Sequence, residues 1–298
     1  VLLLERRFPA IFGKLEKANY ALNQKVITDS PGINILKNSG QGKSGVLVSA
    51  GPSLDLILPY LHRIQRSQRI QKDFLIACVD TALPILAKNN IQPDYVFSLD
   101  PQLDSTQYFI EYPTEKTRLV FTPTVNHNVL KNFYGERYVV YKEGHHLSKN
   151  SESAMKEKGT TQAGGSVACL GLDMLIHFGC DPIFLTGQDC AFAGNRYYSN
   201  HSQFNQKLQG RIARMMPLEK LHREKAQEKK QLQVKCTQGN PLLTDQVMYS
   251  YLRTLEHIIK ANPGTSVFNL YSHGAEIEQA PVLGSVNELK RRSFISKI

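Results

Sequence analysis

Three aspartates, each set just past a hydrophobic run, are the residues best placed to do chemistry. Phe74 to Val79 ends on Asp80 and Thr81; Tyr95 to Leu99 ends on Asp100, with Pro101 and Gln102 next; Pro182 to Thr186 ends on Gly187, Gln188 and Asp189. A carboxylate in such a corner can hold a sugar hydroxyl, bind a divalent ion or act as a general base. One such aspartate is often just the cap of the following helix. Three at analogous positions strain that explanation. Gln102 and Gln188 add donors and acceptors suited to reading a base or a sugar.

Two further corners carry glycine and serine. Gly51-Pro52-Ser53 follows the run Val46 to Ala50, and Gly164-Gly165-Ser166 opens a helical stretch closed by Gly179. Glycine lets backbone approach a ligand, and a helix N-terminus presents free N–H groups to a phosphate. Each corner also reads as a tight turn with a capping serine. The Walker and dinucleotide-binding spacings are absent around Gly51. His145, His146, His201 and His273 are candidate proton carriers, though each alone reads as a surface histidine. No HExxH or other metal spacing occurs, so a histidine-bound metal is not supported, and no GxSxG elbow points to an α/β-hydrolase.

The runs that end in these corners are almost wholly apolar and do not alternate. That is the pattern of parallel strands buried on both faces. Strands are expected at 45–50, 74–79, 94–99, 118–121, 138–141, 182–187 and 266–270. Helices are expected at 53–66, 81–89, 166–178 and 244–261, the last capped by Thr244. A helix from about Leu3 to Lys25 should kink or restart at Pro9. A short helix or loop fits 126–132, and a mobile loop or small lid fits 142–163. The expected organisation is an N-terminal helical segment and connector (1–44), a Rossmann-like α/β domain (45–202 and 236–298) and a basic helical insertion (203–235). The fold class is α/β: a mostly parallel sheet flanked by helices, with one helical excursion. Ligands of such sheets sit beyond the carboxyl ends of the strands, so the polar corners should line one rim. An enzyme acting on a nucleotide-like ligand is the simplest consequence.

Composition narrows the classes. The chain has 298 residues, 41% hydrophobic, enough for one large domain with appendages. No apolar run approaches the roughly 20 residues of a membrane-spanning helix. Val1 to Leu4 is apolar but turns charged at Glu5, too short for a signal peptide. The five cysteines, Cys78, Cys169, Cys180, Cys190 and Cys236, form no CxxC pair and fit a reducing, cytoplasmic setting. The net charge of +10 is concentrated between Lys207 and Lys235, with a second group at Lys290 to Arg292. Such a stretch is a solvated helical face, or it draws an anionic substrate or surface. It lacks interleaved aromatics, which argues against nucleic acid.

As a set, Ser49 to Asp55, Val79 to Ala82, Ser98 to Gln102, Gly164 to Val167 and Gly187 to Asp189 resemble the bacterial motility accessory factors. Thr244-Asp245 and Asn269 to Ala275 fit as well. The resemblance implies a glycosyltransferase that moves a nonulosonic acid, pseudaminic or legionaminic acid, from a CMP-activated donor to Ser or Thr of flagellin. It implies a sialyltransferase-like sheet of GT-A type. Gly51, Pro52, Ser53, Asp80, Thr81 and Asp100 would meet the nucleotide, with Gln102 beside them. Gly164, Gly165, Ser166 and Gln188 would face phosphate or sugar. Asp189 and His201 are the candidate bases. A CMP-linked donor has one phosphate, so a metal need not be required. The same domain is similar to archaeal 6-hydroxymethylpterin diphosphokinase, which implies diphosphate transfer from ATP with Mg2+ as the alternative. A non-catalytic flagellar chaperone is the third reading. The chain is short for a motility accessory factor, and its basic stretch at 203–235 has no counterpart in the resemblance.

Overall fold

In the computed structural model the described residues are 8–110, 112, 114–145, 147, 152–208, 217–236, 239–270 and 272–284. Their centre is an eight-stranded sheet. Its strands are β1 (Ser44–Val48), β2 (Phe74–Val79), β3 (Tyr95–Ser98), β4 (Arg118–Phe121), β5 (Arg137–Val139), β8 (Ile183–Thr186), β11 (Val267–Leu270) and β12 (Val282–Leu283). The order is β12-β11-β8-β1-β2-β3-β4-β5, and every pairing is parallel. The chain therefore steps outward from β1 to β5, then returns to the other side of β1 as β8. The strand order reverses between β1 and β8, and that is where an open α/β sheet leaves a crevice.

Burial on both faces explains the unbroken apolar runs. Val46 and Val48 belong to one core, with Ile57 and Leu61 of α2 (Leu54–Arg66). Leu47 belongs to the other, with Leu170 and Leu175 of α6 (Val167–His177) and Leu255 of α9 (Gln246–Ala261). Fully burying one such leucine contributes about 1.5–3 kcal/mol. Helix α1 (Phe8–Asp29) docks on the first face through two asparagines one turn apart. Asn19 Nδ2 donates to Pro101 O at 2.9 Å, and Asn23 Nδ2 donates to Pro123 O and Val125 O at 3.0 and 2.9 Å. These carbonyls lie just past β3 and β4, so α1 fixes two of the corners.

The remaining elements are short. They include α3 (Leu83–Lys88), α4 (His127–Lys131), α5 (Glu152–Lys158), α7 (Gln203–Leu208), α8 (Leu218–Gln227), the 3-10 turn Leu103–Tyr108, the strands β6 (Tyr141–Lys142) and β7 (Thr160–Thr161), and the pair β9 (Gln231–Val234) and β10 (Leu242–Asp245).

Several local expectations change. The segment 138–141 is two strands: β5 stays in the main sheet, while β6 leaves it to pair with β7. The stretch 203–235 is not all helix. Its last part is β9, antiparallel to β10, because Gln231, Leu232, Gln233 and Val234 alternate with period two. Thr244 does not cap α9. It is held in β10 and donates to Cys190 O at 2.7 Å, while Asp245 Oδ1 accepts from Val247 and Met248 N–H. Pro9 sits in the first turn of α1, which begins at Phe8, where its missing N–H loses no helical hydrogen bond. The expected helical residues before Phe8, and the basic groups at Arg211, Arg214 and Lys290 to Arg292, lie outside the described residues.

Candidate active site

A cleft of about 920 Å³ opens over the carboxyl ends of β1, β2, β3, β4 and β8. Gly51, Asp80, Thr81, Asp100, Gln102, Gly165, Ser166, Gln188 and Asp189 all line it. Residues up to 138 positions apart in the chain thus share one rim (189 − 51). Pro52, Ser53, Gly164 and His201 are not among the lining residues. Ser53 stands directly behind the wall, whereas His201 is exposed on a turn outside it.

At the switch point the corner after β1 is locked to the corner after β8. Ser53 donates its N–H and its hydroxyl to Asp189 Oδ2, each at 3.0 Å. Gly187 has φ +66, and a Cβ there would collide with Ser49 O. A Cβ on Gly51 would collide with Asp189 Oδ2. Both positions therefore require glycine. Asp189 Oδ1 is buried and has no hydrogen-bond partner among the described residues. Burial raises the Asp189 carboxyl above the usual range, against the opposing hydrogen bonds from Ser53. Beside it, Ser49 Oγ donates to Gln188 Oε1 at 2.7 Å, and Gln188 Nε2 donates to Cys190 Sγ at 3.0 Å. That chain fixes which end of the amide faces which neighbour.

Asp80 forms part of the floor. Its Oδ2 accepts from Ser98 Oγ at 2.9 Å and its Oδ1 from Thr81 N–H at 2.8 Å. Burial pushes its carboxyl up to about 7, and the nearby charge of Asp100 adds to the rise. Asp100, half-buried, accepts from Gln102 N–H at 2.9 Å and is also raised by burial. The N-terminus of α6 enters the cleft at Gly165, Ser166 and Val167. Ser166 is the cap position, yet its side chain makes no cap bond, so the first N–H groups of α6 remain available to an anion.

The lid over this floor was missed by sequence reasoning. Tyr197, Tyr198, Lys229 and Asp245 line the cleft from the clasp formed by residues 193–208, 217–236 and 239–245, and Tyr108 and Tyr251 complete the walls. Burial raises all four phenols, so they stay neutral hydrogen-bond donors. The clasp is seated by Asp55, which accepts from Asn200 N–H at 3.1 Å and pairs with Arg196 at 3.3 Å, and by Ser199 N–H on Ala50 O at 2.8 Å. Inside it His222 accepts from Tyr197 N–H on Nδ1 at 3.0 Å and donates Nε2–H to Asn205 Oδ1 at 2.7 Å. Lys229 bonds Asp245 Oδ2 at 2.8 Å and lies 5.3 Å from the Tyr197 ring centre. The sequence signal was present: Asp55 sits at the end of the Gly51 motif, and the Tyr197-Tyr198 pair interrupts a polar stretch.

A family model described as 6-hydroxymethylpterin diphosphokinase MptE-like matches residues 18–195. That is 178 of 298 residues (195 − 18 + 1), and it contains nearly every corner of the cleft.

The chain belongs to the MptE-like family.

A solved structure described as the MAf glycosyltransferase from Magnetospirillum magneticum AMB-1 has the same fold, with a TM-score of 0.59 and 19% identity. The similarity covers 88% of the MptE-like chain and 40% of that protein, so the chain spans well under half of its length. The Rossmann-like sheet expected from the motifs, and their resemblance to the motility accessory factors, are matched by this fold. A comparison with curated proteins finds no match. No described helix is long and apolar enough to cross a membrane.

Proposed function

We propose that this MptE-like protein is a glycosyltransferase taking its sugar from a nucleotide donor, a CMP-activated nonulosonic acid, and passing it to a Ser or Thr hydroxyl of flagellin. The observation that carries the reading is the single cleft at the β1/β8 switch point. There, glycine corners, carboxylates and one helix N-terminus face the same space.

The roles follow from position. The donor phosphate lies toward the free N–H groups of α6, which stabilise the charge left on it as the bond to the sugar breaks. Asp100, Thr81 and the tyrosine hydroxyls hold ribose and sugar hydroxyls. The acceptor oxygen attacks the anomeric carbon, its proton passes to a carboxylate, and CMP departs with the bonding electron pair. Asp189 is the assigned base, since Oδ2 anchors Ser53 while Oδ1 has no hydrogen-bond partner among the described residues. His201, outside the cleft, is left out of the reaction.

A second reading, diphosphate transfer from ATP, is favoured by the family model and by Asp80 and Asp100 on neighbouring strands. Mg2+ would belong to that reaction. Among the described residues no three His, Cys, Asp or Glu groups converge to hold a metal, and both Asp80 oxygens already accept protein hydrogen bonds. Calorimetric titration separates the readings. Binding of CMP without Mg2+ supports glycosyl transfer; binding of ATP only with Mg2+, and none of CMP, overturns it.

A further inference from the structure

Among the described residues that line the cleft, His145 is the single histidine, and it is paired with an acid from a distant element. Its Nε2 lies 3.1 Å from Glu16 Oε1 on α1, and Glu16 lines the cleft as well. Both side chains are largely covered, with 12% and 11% of their surface exposed. Nδ1 accepts from Leu147 N–H across a long 3.4 Å. Nε2 therefore carries hydrogen and donates it to Glu16, and Nδ1 is the nitrogen whose proton comes and goes. A carboxylate that fixes the tautomer and supports the charged ring is the arrangement of an acid–base histidine. Glu16 has a fixed seat. Glu16, Asn19 and Asn23 stand at i, i+3 and i+7 on one face of α1, and the two asparagines pin that face to the corners after β3 and β4.

The pair stands beside the N-terminus of α6. Strands β6 and β7 run parallel with Lys142 opposite Thr161, and Glu143 N–H donates to Thr161 O at 3.0 Å. The two chains leave the strands together, one into Gly144 and His145, the other toward Gly165 and Ser166, and all four of these residues line the cleft. Of the charged neighbours, Lys142 lines the cleft too, and Glu143 accepts from Thr160 Oγ1 at 2.9 Å. Asp189 follows β8, on the other side of β1 from β5 and β6. Two proton carriers thus reach one space from different ends of the sheet.

We propose that His145, held by Glu16, gives the departing phosphate its proton. The step rests on the transferase reading of the same cleft. The bond between the anomeric carbon and the phosphate oxygen breaks, and its electron pair stays with the oxygen. That oxygen takes the Nδ1 proton, so CMP leaves protonated and the ring is left neutral. Glu16 remains a carboxylate and keeps its hydrogen bond from Nε2–H. Asp189 takes the acceptor's proton at the other end of the reaction. The N–H groups of α6 and the imidazolium thus act on the same phosphate, one by dipole and one by proton. Glu16 acts only through the ring and is a positioning residue.

The test is the rate of CMP release from CMP-pseudaminic and CMP-legionaminic acid by the whole chain, His145→Ala and Glu16→Gln. His145→Ala should lower kcat more than about a hundredfold, and added imidazole should restore at least about tenfold of it. A merely structural role for His145 would give no such recovery. Glu16→Gln still accepts from Nε2–H but no longer supports the charged ring, so kcat should fall about tenfold with KM little changed. A rate within threefold of the unaltered protein in His145→Ala, or a loss that imidazole does not repair, overturns the proposal. If the unaltered protein releases no CMP, the transferase reading falls, and calorimetric titration with ATP then decides whether His145 meets phosphate. Binding about tenfold weaker in His145→Ala keeps it there; equal binding, or none to either protein, overturns it.

Discussion

Ser53 and Asp189 join the two halves of the sheet at its switch point: one carboxylate oxygen takes both the N–H and the hydroxyl of the serine, each at 3.0 Å. The same aspartate fixes the Gly51 corner, and its other oxygen meets no donor among the described residues. Replacing it should therefore have two separable effects. Asp189→Ala leaves two buried donors unpaired and should cost about 2–4 kcal/mol, seen as a lower thermal midpoint. Asp189→Asn keeps an acceptor for Ser53 and should melt closer to the unaltered protein. Its transfer rate should still fall more than about tenfold, because an amide cannot take the acceptor's proton. A smaller fall at saturating donor would remove Asp189 as the base.

Asp80 gives the stability a pH dependence of known sign. In the folded chain its carboxyl ionises near pH 7 instead of near 3.8. Between those values the folded state keeps a proton that the unfolded chain has released. Its contribution is complete below about pH 3.8 and is lost as pH rises toward 7. The full shift corresponds to on the order of 4 kcal/mol. Asp80→Asn cannot titrate, and its amide oxygen can still accept from Ser98. The thermal midpoint of the unaltered protein should drop between about pH 5 and 8 by several degrees more than that of the variant. Parallel curves for the two proteins would show that Asp80 does not titrate in this window.

The sheet and the floor of the cleft were legible in the sequence because parallel strands buried on both faces leave unbroken apolar runs. The chain must turn polar where each run ends, so Asp80, Asp100 and Asp189 could be placed before any contact was known. The roof was not legible. Tyr108, Tyr251 and Lys229 reach the cleft from a 3-10 turn, a helix and a clasp far apart in sequence, and no periodicity states which side of a sheet a loop will cross. The strand Gln231–Val234 was hidden between Lys229-Lys230 and Lys235, whose charges read as one more helical face. Thr244 and Asp245 are both able to cap a helix; only the β10 pairing decides between them. His201 was chosen for its residue type, and type says nothing about which way a turn faces.

His222 should make the clasp sensitive to acid. Its Nδ1 accepts from Tyr197 N–H, a bond that only the neutral ring can make. Burial holds its ionisation below the usual 6.5, with the charge of Arg196 acting in the same sense. A base with a lowered folded value contributes stability that is complete above about pH 6.5 and is lost as pH falls below it. Hydrogen-exchange protection across residues 196–208, corrected for intrinsic rates, should be lower at about pH 5 than at about pH 7.5. The protection of β2, which contains no histidine, should change less. A uniform change across both segments would assign the effect to the whole fold.

Asn23 tests whether α1 is a working part of the site or only a cover. It is fully buried, and its amide nitrogen serves Pro123 O and Val125 O while its oxygen faces His127 Nδ1 at 2.9 Å. Pro123 lies between Thr122 and Thr124, both of which line the cleft. Asn23→Ala deletes the donor and leaves two carbonyls unpaired, a cost of about 2–3 kcal/mol. Asn23→Asp keeps the shape but turns an acceptor toward two carbonyl oxygens, so it should be at least as damaging near neutral pH. If the helix positions the Thr122–Thr124 corner, donor affinity measured by calorimetry well below the melting transition should weaken in both variants. A loss of stability with donor affinity intact would make α1 a cover alone.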